Sequence, residues 1–509
     1  MKARRSTLAV VVVAALALTA CSSSAPGASR PATSSPSSTA SGSTAAASSP
    51  VARPRVTGPL HGGTPDVPAN AMPTAWKQQY HYTENDYEIS GTATAYRPTA
   101  TLGEDGRWSV APASQAAYRT RLLVRTPSDP RKFNGTVIVE WLNVTAGRDS
   151  DADFGFAGPE LLRDGYAYVG VSAQATGVVG GGGKIPIPGY DPLPLVTQNP
   201  ARYAGLVHPG DDYSYDIFSQ AAQAIRRPDG PNPLGRLHPQ RVIATGESQS
   251  AFRMVTYVDA VAPVAHLFDG YLIHSRGPNG TALSSAPGTA AMPKVVHIRS
   301  DLGVPVLQLE TETDLFGLGF YPARQPDTRR LRTWEMAGTS HADQSTLDYG
   351  IASGAVWSPG EQAPDFQALC GTINDGPQGY IERKAIAALD TWVRGGPPPA
   401  TSPAFVIGAG PAIARDARGN ALGGIRTPAV DVPVSSLTGV ANPQASVICS
   451  LFGQTTPFTA ATLAQLYPTH ADYVAQVTAD ARSDQARGFL LPADVALIVA
   501  AARRAKVPA

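Results

Sequence analysis

The sequence predicts an α/β fold: a mostly parallel central sheet flanked by helices. Three observations carry this expectation. Strand-length apolar runs alternate with amphipathic helical stretches, the order that builds parallel sheets through helical crossovers. Several runs, such as Val137-Ile138-Val139 and Val242-Ile243-Ala244, are apolar at consecutive positions, as in strands covered on both faces. The chain has 509 residues, 43% of them hydrophobic, enough for a large core.

Charge excludes one class of partner. Lys+Arg number 41 and Asp+Glu 40, a net charge of +1, so the excess of cations that nucleic-acid or polybasic membrane binding needs is missing. Gly (49) and Pro (46) are abundant but fall short of wholesale disorder, and much of the excess sits in the N-terminal segment and in loops. No internal repeat of fixed period is present.

From the N-terminus, Lys2, Arg4 and Arg5 precede an apolar run, Leu8 to Leu18, too short to span a bilayer comfortably. Leu18-Thr19-Ala20-Cys21 follows and resembles a bacterial lipoprotein signal, which implies that Cys21 is acylated and becomes the new N-terminus. Residues 22–70, rich in Ser, Thr, Ala, Pro and Gly, read as a disordered tether, because they hold too little apolar surface to offset ordering entropy. The expected product is an exported lipoprotein on the extracytoplasmic face of a bacterial cell membrane, bound to it by its lipid alone. Besides Cys21 the chain has two cysteines, Cys370 and Cys449, and an oxidising compartment favours their pairing as a disulfide.

The folded part is expected over 71–509, with a core of about 85–395 and a C-terminal extension of about 396–509. Tyr87 to Tyr96 and Tyr118 to Arg125 read as early, partly exposed strands. Gly135 to Leu142 is a buried strand, Pro159 to Asp164 a helix that ends at Gly165, and Tyr166 to Ser172 the next strand. Residues 176–210 show no period. Asp216 to Ile225 is an amphipathic helix. Further strands are expected at 241–245, 267–273, 304–309 and 330–336.

The chemistry centres on Thr245-Gly246-Glu247-Ser248-Gln249-Ser250, a Gly-x-Ser-x-Ser between a buried strand and an apolar helical pattern. This arrangement resembles the nucleophile elbow of the α/β-hydrolase fold. A sharp turn lifts the Ser248 hydroxyl clear of the sheet and sets the Gln249 N–H at a helix start, where it can hold an oxyanion. Ser250 stands where a second glycine is usual. In that fold the acid comes next along the chain and the histidine last. Three carboxylates, Glu310, Glu312 and Asp314, follow one strand; turn register favours Asp314, with Glu312 as its rival. The base expected is His341, after the strand ending at Met336 and a Gly338 turn. His470 opens a helical pattern with no strand before it. A second oxyanion donor is expected from the backbone N–H of Leu142, Asn143 or Val144, with Asn143 also readable as a turn residue.

The segments Glu140-Trp141-Leu142-Asn143, His208-Pro209-Gly210-Asp211, Gly246 to Ser250, Ala337 to Asp343, Gly423 to Pro428 and Gly488 to Asp494 resemble a bacterial family of exported α/β-hydrolase domain proteins. The resemblance spans about 75–509 and implies the fold and a serine-hydrolase class, without fixing a substrate. Other motifs are weak. Gly180-Gly181-Gly182-Gly183-Lys184 lacks the Ser or Thr that a phosphate loop needs next, and the chain has neither zinc-ligand spacing nor a dinucleotide fingerprint. The expected function is hydrolysis of a carboxylic ester, small or lipid-like, by Ser248, His341 and Asp314 through an acyl-enzyme, with no cofactor or metal. The alternatives are amide or thioester hydrolysis on the same residues, or a non-catalytic surface binding protein that retains the fold.

Overall fold

The computed structural model describes residues 49–183, 185–285, 290–440 and 446–508. Among them one sheet of nine strands is formed by β1 (Arg55–Thr57), β2 (Tyr82–Pro98), β3 (Val110–Pro127), β4 (Thr136–Trp141), β5 (Ala167–Val171), β6 (Arg241–Glu247), β7 (Gly270–His274), β8 (Val306–Thr311) and β9 (Leu331–Met336). Their order across the sheet is β1-β2-β3-β5-β4-β6-β7-β8-β9. From β5 to β9 every pairing is parallel, whereas β1, β2 and β3 pair antiparallel and join the rest through β3 and β5. This is the large, mostly parallel sheet that the alternating pattern predicts.

Both faces of the parallel part are buried, and the side chains divide between them with period two. Val137, Val139, Trp141, Val242, Ala244, Tyr271 and Ile273 enter one apolar cluster. There they meet α2 (Ser214–Arg226) and α3 (Gln249–Thr256). Ile138, Ile243, Leu272 and Leu307 enter the other cluster, against α1 (Ala152–Arg163) and α5 (Gln378–Val393). The first helix of this set starts earlier than its sequence pattern indicates, because Gly155 and Gly158 weaken the helical signal. Both glycines are packing sites: a Cβ at Gly158 would meet Trp76 at 2.4 Å and one at Gly155 would meet Tyr349 at 2.9 Å.

Folded structure begins before residue 71, which corrects part of the expected 22–70 tether. Val56 of β1 is 2% exposed, and the Arg55–Thr57 segment pairs with the outer edge of β2. The Asn70 side-chain amide donates to the Asp149 carbonyl at 2.9 Å, and its oxygen accepts from Arg121. A sheet edge offers unpaired backbone groups to any chain beside it, and composition alone does not reveal such a partner. The leader, Cys21 and residues 22–48 lie outside the described residues.

Beyond β9, the chain adds α4 (Gln344–Trp357), which precedes α5, and then a two-stranded ribbon of β10 (Ser435–Thr438) and β11 (Gln454–Pro457). Helices α6 (His470–Arg487) and α7 (Pro492–Arg504) pack on one another. Thr469 caps α6 through its side chain and Gly488 closes it in the left-handed conformation, so His470 sits in the first turn of a helix as its sequence pattern suggests. Cys370 and Cys449, separated by 79 positions, form a disulfide beside Ile448 and Phe452. No helix of the described residues is long and apolar enough to cross a membrane.

Candidate active site

The loops after β4, β6, β8 and β9 all leave the sheet at the C-terminal edge of its parallel strands, where open α/β sheets gather their functional groups. Ser248 follows β6 directly. Its backbone has φ 57° and ψ −120°, a conformation that costs of order 1–3 kcal/mol for a residue with a side chain and persists only where packing enforces it. Enforcement is visible on both sides of the turn. Ser248 N–H donates to the His274 carbonyl of β7 at 2.9 Å, and Phe252 N–H donates back to the Ser248 carbonyl as α3 begins. A Cβ at Gly246 would meet Met254 at 2.9 Å and the Ser250 Cβ at 3.2 Å, so glycine is needed there and a small side chain suffices at 250.

The structure brings the three widely separated side chains together. Ser248 Oγ lies 2.6 Å from His341 Nε2, and His341 Nδ1 lies 2.7 Å from Asp314 Oδ1. Asp314 is buried, and its second oxygen accepts both the Thr311 N–H and the Thr311 hydroxyl at 2.7 Å each. A one-turn helix, Glu312–Phe316, carries it, with Thr311 and Asp314 capping each other. Burial pushes the Asp314 carboxyl up, but His341 and the Thr311 N–H outweigh burial and hold it below the ordinary range. Burial likewise works against charge on His341, and the adjoining Asp314 carboxylate reverses it, raising the imidazole above its usual value, with Glu247 adding to the effect.

Glu312, the rival acid, faces elsewhere. Its Oε1 accepts the Gly338 N–H at 2.7 Å, and its Oε2 accepts from Arg415 at 2.8 Å and from the Gly439 N–H at 3.1 Å. It ties the turn that carries His341 to the chain after α5. That turn needs Gly338, at φ 75°, where a Cβ would also strike Val430 at 2.6 Å. His341 N–H donates to the Thr313 hydroxyl, which donates to the Gly439 carbonyl, and Ala342 N–H donates to the Leu451 carbonyl. Nothing in the local sequence marks these supports, because their partners lie about a hundred positions downstream.

The Asn143 backbone is not available as an oxyanion donor, a correction to that expectation. Its N–H donates to the Ser150 carbonyl at 2.9 Å, closing the loop on itself, and the Leu142 N–H is held by Val171. The Asn143 side chain instead donates to Glu247 Oε2 at 3.0 Å and to the Glu247 carbonyl at 3.1 Å. Of the three backbone candidates, the Val144 N–H has no partner among the described residues. The Gln249 N–H is the first of α3, where helical geometry provides no acceptor.

Sequence reasoning passed over Glu247. This carboxylate is buried at the end of β6, with Oε1 3.4 Å from His341 Nε2. Burial, opposed by His341 and His274, pushes it up to about 7. A carboxylate at the buried end of β6, beside the nucleophile, was its only signal. Beneath it lies a further polar group. Asp153, His274 and Glu382 bring possible metal-ligand atoms within 4.8 Å of one another. Both His274 nitrogens already have protein partners, Asp153 Oδ1 at 2.9 Å and Gln378 Nε2 at 3.1 Å. A cavity of about 820 Å³ lies beside the β4 loop and α4, with Arg148, Tyr190 and Trp357 in its walls but neither Ser248 nor His341.

The fold and this arrangement define a hydrolase of the α/β-hydrolase superfamily. Residues 56–500 match the family described as "Alpha/beta hydrolase domain", and the chain belongs to that family. Among solved structures, the chain is similar to a member of the α/β serine hydrolases without lid from Xanthomonas campestris. The two share 12% identity over 54% of this chain and 97% of that one, with a TM-score of 0.27. It is also similar to a fungal esterase from Rhizomucor miehei, at 9% identity over 55% of this chain and 85% of that one, with a TM-score of 0.25. No curated protein matches the chain.

Proposed function

We propose that this protein is a serine hydrolase that cleaves a carboxylic ester through an acyl-enzyme. The observation that carries the reading is the hydrogen-bonded row Ser248–His341–Asp314, with contacts of 2.6 and 2.7 Å. His341, neutral with its proton on Nδ1 toward Asp314, accepts the Ser248 proton on Nε2 as the hydroxyl oxygen bonds to the ester carbonyl carbon. The carbonyl oxygen becomes an oxyanion, held by the Gln249 N–H and by the Val144 N–H; one such donor is worth about 10²–10³ in rate. Collapse expels the alcohol, which takes its proton from His341. Water then attacks the acyl-enzyme, with His341 again removing a proton, and Ser248 is restored as the acid leaves.

The same reading places the enzyme outside the cytoplasm as a lipoprotein anchored through Cys21. Support comes from the basic start, the short apolar run and Leu18-Thr19-Ala20-Cys21, and the disulfide is compatible with an oxidising compartment. The test is labelling by a fluorophosphonate probe together with hydrolysis of p-nitrophenyl acetate. Wild type should label and turn over, and Ser248→Ala should do neither. An unlabelled, inactive but folded wild type refutes the proposal.

A further inference from the structure

His341 has carboxylates on both sides, and the proposed reaction uses only one of them. Asp314 takes the Nδ1 side. On the Nε2 side, where the proton shuttles, Glu247 Oε1 stands 3.4 Å from the ring nitrogen. Glu247 is buried and is not free to swing away, since Asn143 holds its other oxygen and the carbonyl of the same residue. Asn143 is in turn fixed: its N–H and carbonyl both bond Ser150, and its side-chain oxygen accepts the Thr145 N–H at 2.7 Å. The loop after β4 thus aims a carboxylate at the base.

We propose that Glu247 is a positioning residue for the hydrolytic reaction, a second anion that stabilises the His341 imidazolium from its Nε2 side and is itself oriented by Asn143. This rests on the serine-hydrolase reading above. Each half-reaction passes through a transition state in which His341 gains positive charge. An anion 3.4 Å from Nε2 stabilises that charge, whereas the neutral imidazole of the resting enzyme gains much less from it, so the interaction favours the transition state over the ground state. At 3.4 Å Glu247 leaves the hydrogen bond of Nε2 to Ser248 Oγ.

Other ionisable groups face Glu247 from each packed element. His341 comes from the turn after β9, His274 from β7, Asp153 from α1, Asp314 from the turn after β8 and Glu382 from α5. Asp153 and Asp314 favour a proton on Glu247, the two histidines favour its anion, and Glu247 in turn favours a proton on Glu382. Asp153 is held by the Thr245 hydroxyl and by His274, and Asp314 by Thr311, so these carboxyl groups have partners of their own. After Asp314, Glu247 is therefore the carboxylate that stands next to the base, and it is the one on the Nε2 side.

The test compares wild type with Glu247→Gln in p-nitrophenyl acetate hydrolysis across pH 5–9, after fluorophosphonate titration of active sites and a thermal melt to confirm folding. The amide keeps the bond from Asn143 and removes the charge. An opposite charge this close moves a pKa by about 1–3 units. The acid limb of kcat should therefore move down by about one pH unit, and plateau kcat should fall about tenfold. KM should change far less than kcat, because the proposed interaction strengthens in the transition state. A merely structural role would lower the melting temperature and leave the limb in place. Wild type that labels and turns over, with a folded Glu247→Gln variant whose limb is unmoved, overturns this inference and leaves the serine-hydrolase reading intact. Wild type that neither labels nor turns over defeats both. If Glu247→Gln does not fold, ¹⁵N-histidine NMR of wild type decides: the His341 titration should show a second inflection from the adjoining carboxylate, and a single inflection overturns the inference.

Discussion

Replacing Asp314 by Asn tests the base and its orienting acid together. Asp314 Oδ2 accepts two donors from Thr311, the N–H and the hydroxyl, while Oδ1 meets His341 Nδ1. An amide NH₂ cannot face the Thr311 N–H, so the Asn oxygen must take the Oδ2 position and its NH₂ must turn to His341. Nδ1 then becomes an acceptor, the imidazole proton moves to Nε2, and Nε2 can no longer accept from Ser248. Activity survives only through the minor tautomer. A drop in kcat of about 10⁴ is expected, equivalent to roughly 5.5 kcal/mol at 1.36 kcal/mol per factor of ten. Folding should persist, since losing one charged hydrogen bond costs about 1.5–3 kcal/mol. The assay is ester hydrolysis per active site titrated with fluorophosphonate, checked by a thermal melt. A folded Asp314→Asn enzyme within tenfold of wild type refutes the tautomer argument. A larger loss of kcat in folded Glu312→Gln than in Asp314→Asn would return the acid's role to Glu312.

Two further outcomes concern stability. Burial raises Glu160 and Glu247 to about 7, Asp343 and Asp480 to about 6, and Asp484 to about 7, so the folded chain holds protons that the unfolded chain has released above pH 4.5. Stability from these groups is fully present below their unfolded pKa values and is lost as pH rises through the folded ones; the melting temperature should fall from pH 5 to pH 8, and a rise over that window would contradict their burial. The Cys370–Cys449 bond closes a loop of 79 positions, for which chain entropy assigns about 4.5 kcal/mol. The Cys370→Ser, Cys449→Ser double variant should unfold at correspondingly lower urea, and an unchanged midpoint would show that the loop is ordered without its bridge.

What the sequence made legible were features whose causes are local. The burial of β4 and β6 on both faces was readable because consecutive apolar residues must be covered on both sides. Ser248 was readable because a strand running into Gly-x-Ser-x-Ser and then a helix pattern leaves few other backbones possible. His341 followed from chain order and a glycine turn. Choosing between Asp314 and Glu312 needed geometry: both lie in one turn of helix, and only the bonds of Glu312 to Gly338, Gly439 and Arg415 show that it faces away from the base. The early part of the fold was misplaced because β1 owes its strand conformation to the edge of β2. Asn143 was read as a backbone donor in the loop after β4, but its N–H is taken by Ser150, a partner that a linear reading does not reveal.

The bonds from Arg415, Gly439 and Leu451 to the turns bearing Asp314 and His341 have a consequence for how the molecule is made. On the ribosome, Ser248, Asp314 and His341 all emerge well before those three residues. Until the later stretch has been synthesised and has docked, Glu312 lacks two of its donors and Ala342 its acceptor. A chain that ends before those residues thus carries Ser248, Asp314 and His341 without the braces that align them. Shortening the gene from its 3′ end to drop apparently peripheral helices would, past residue 451, remove the braces themselves.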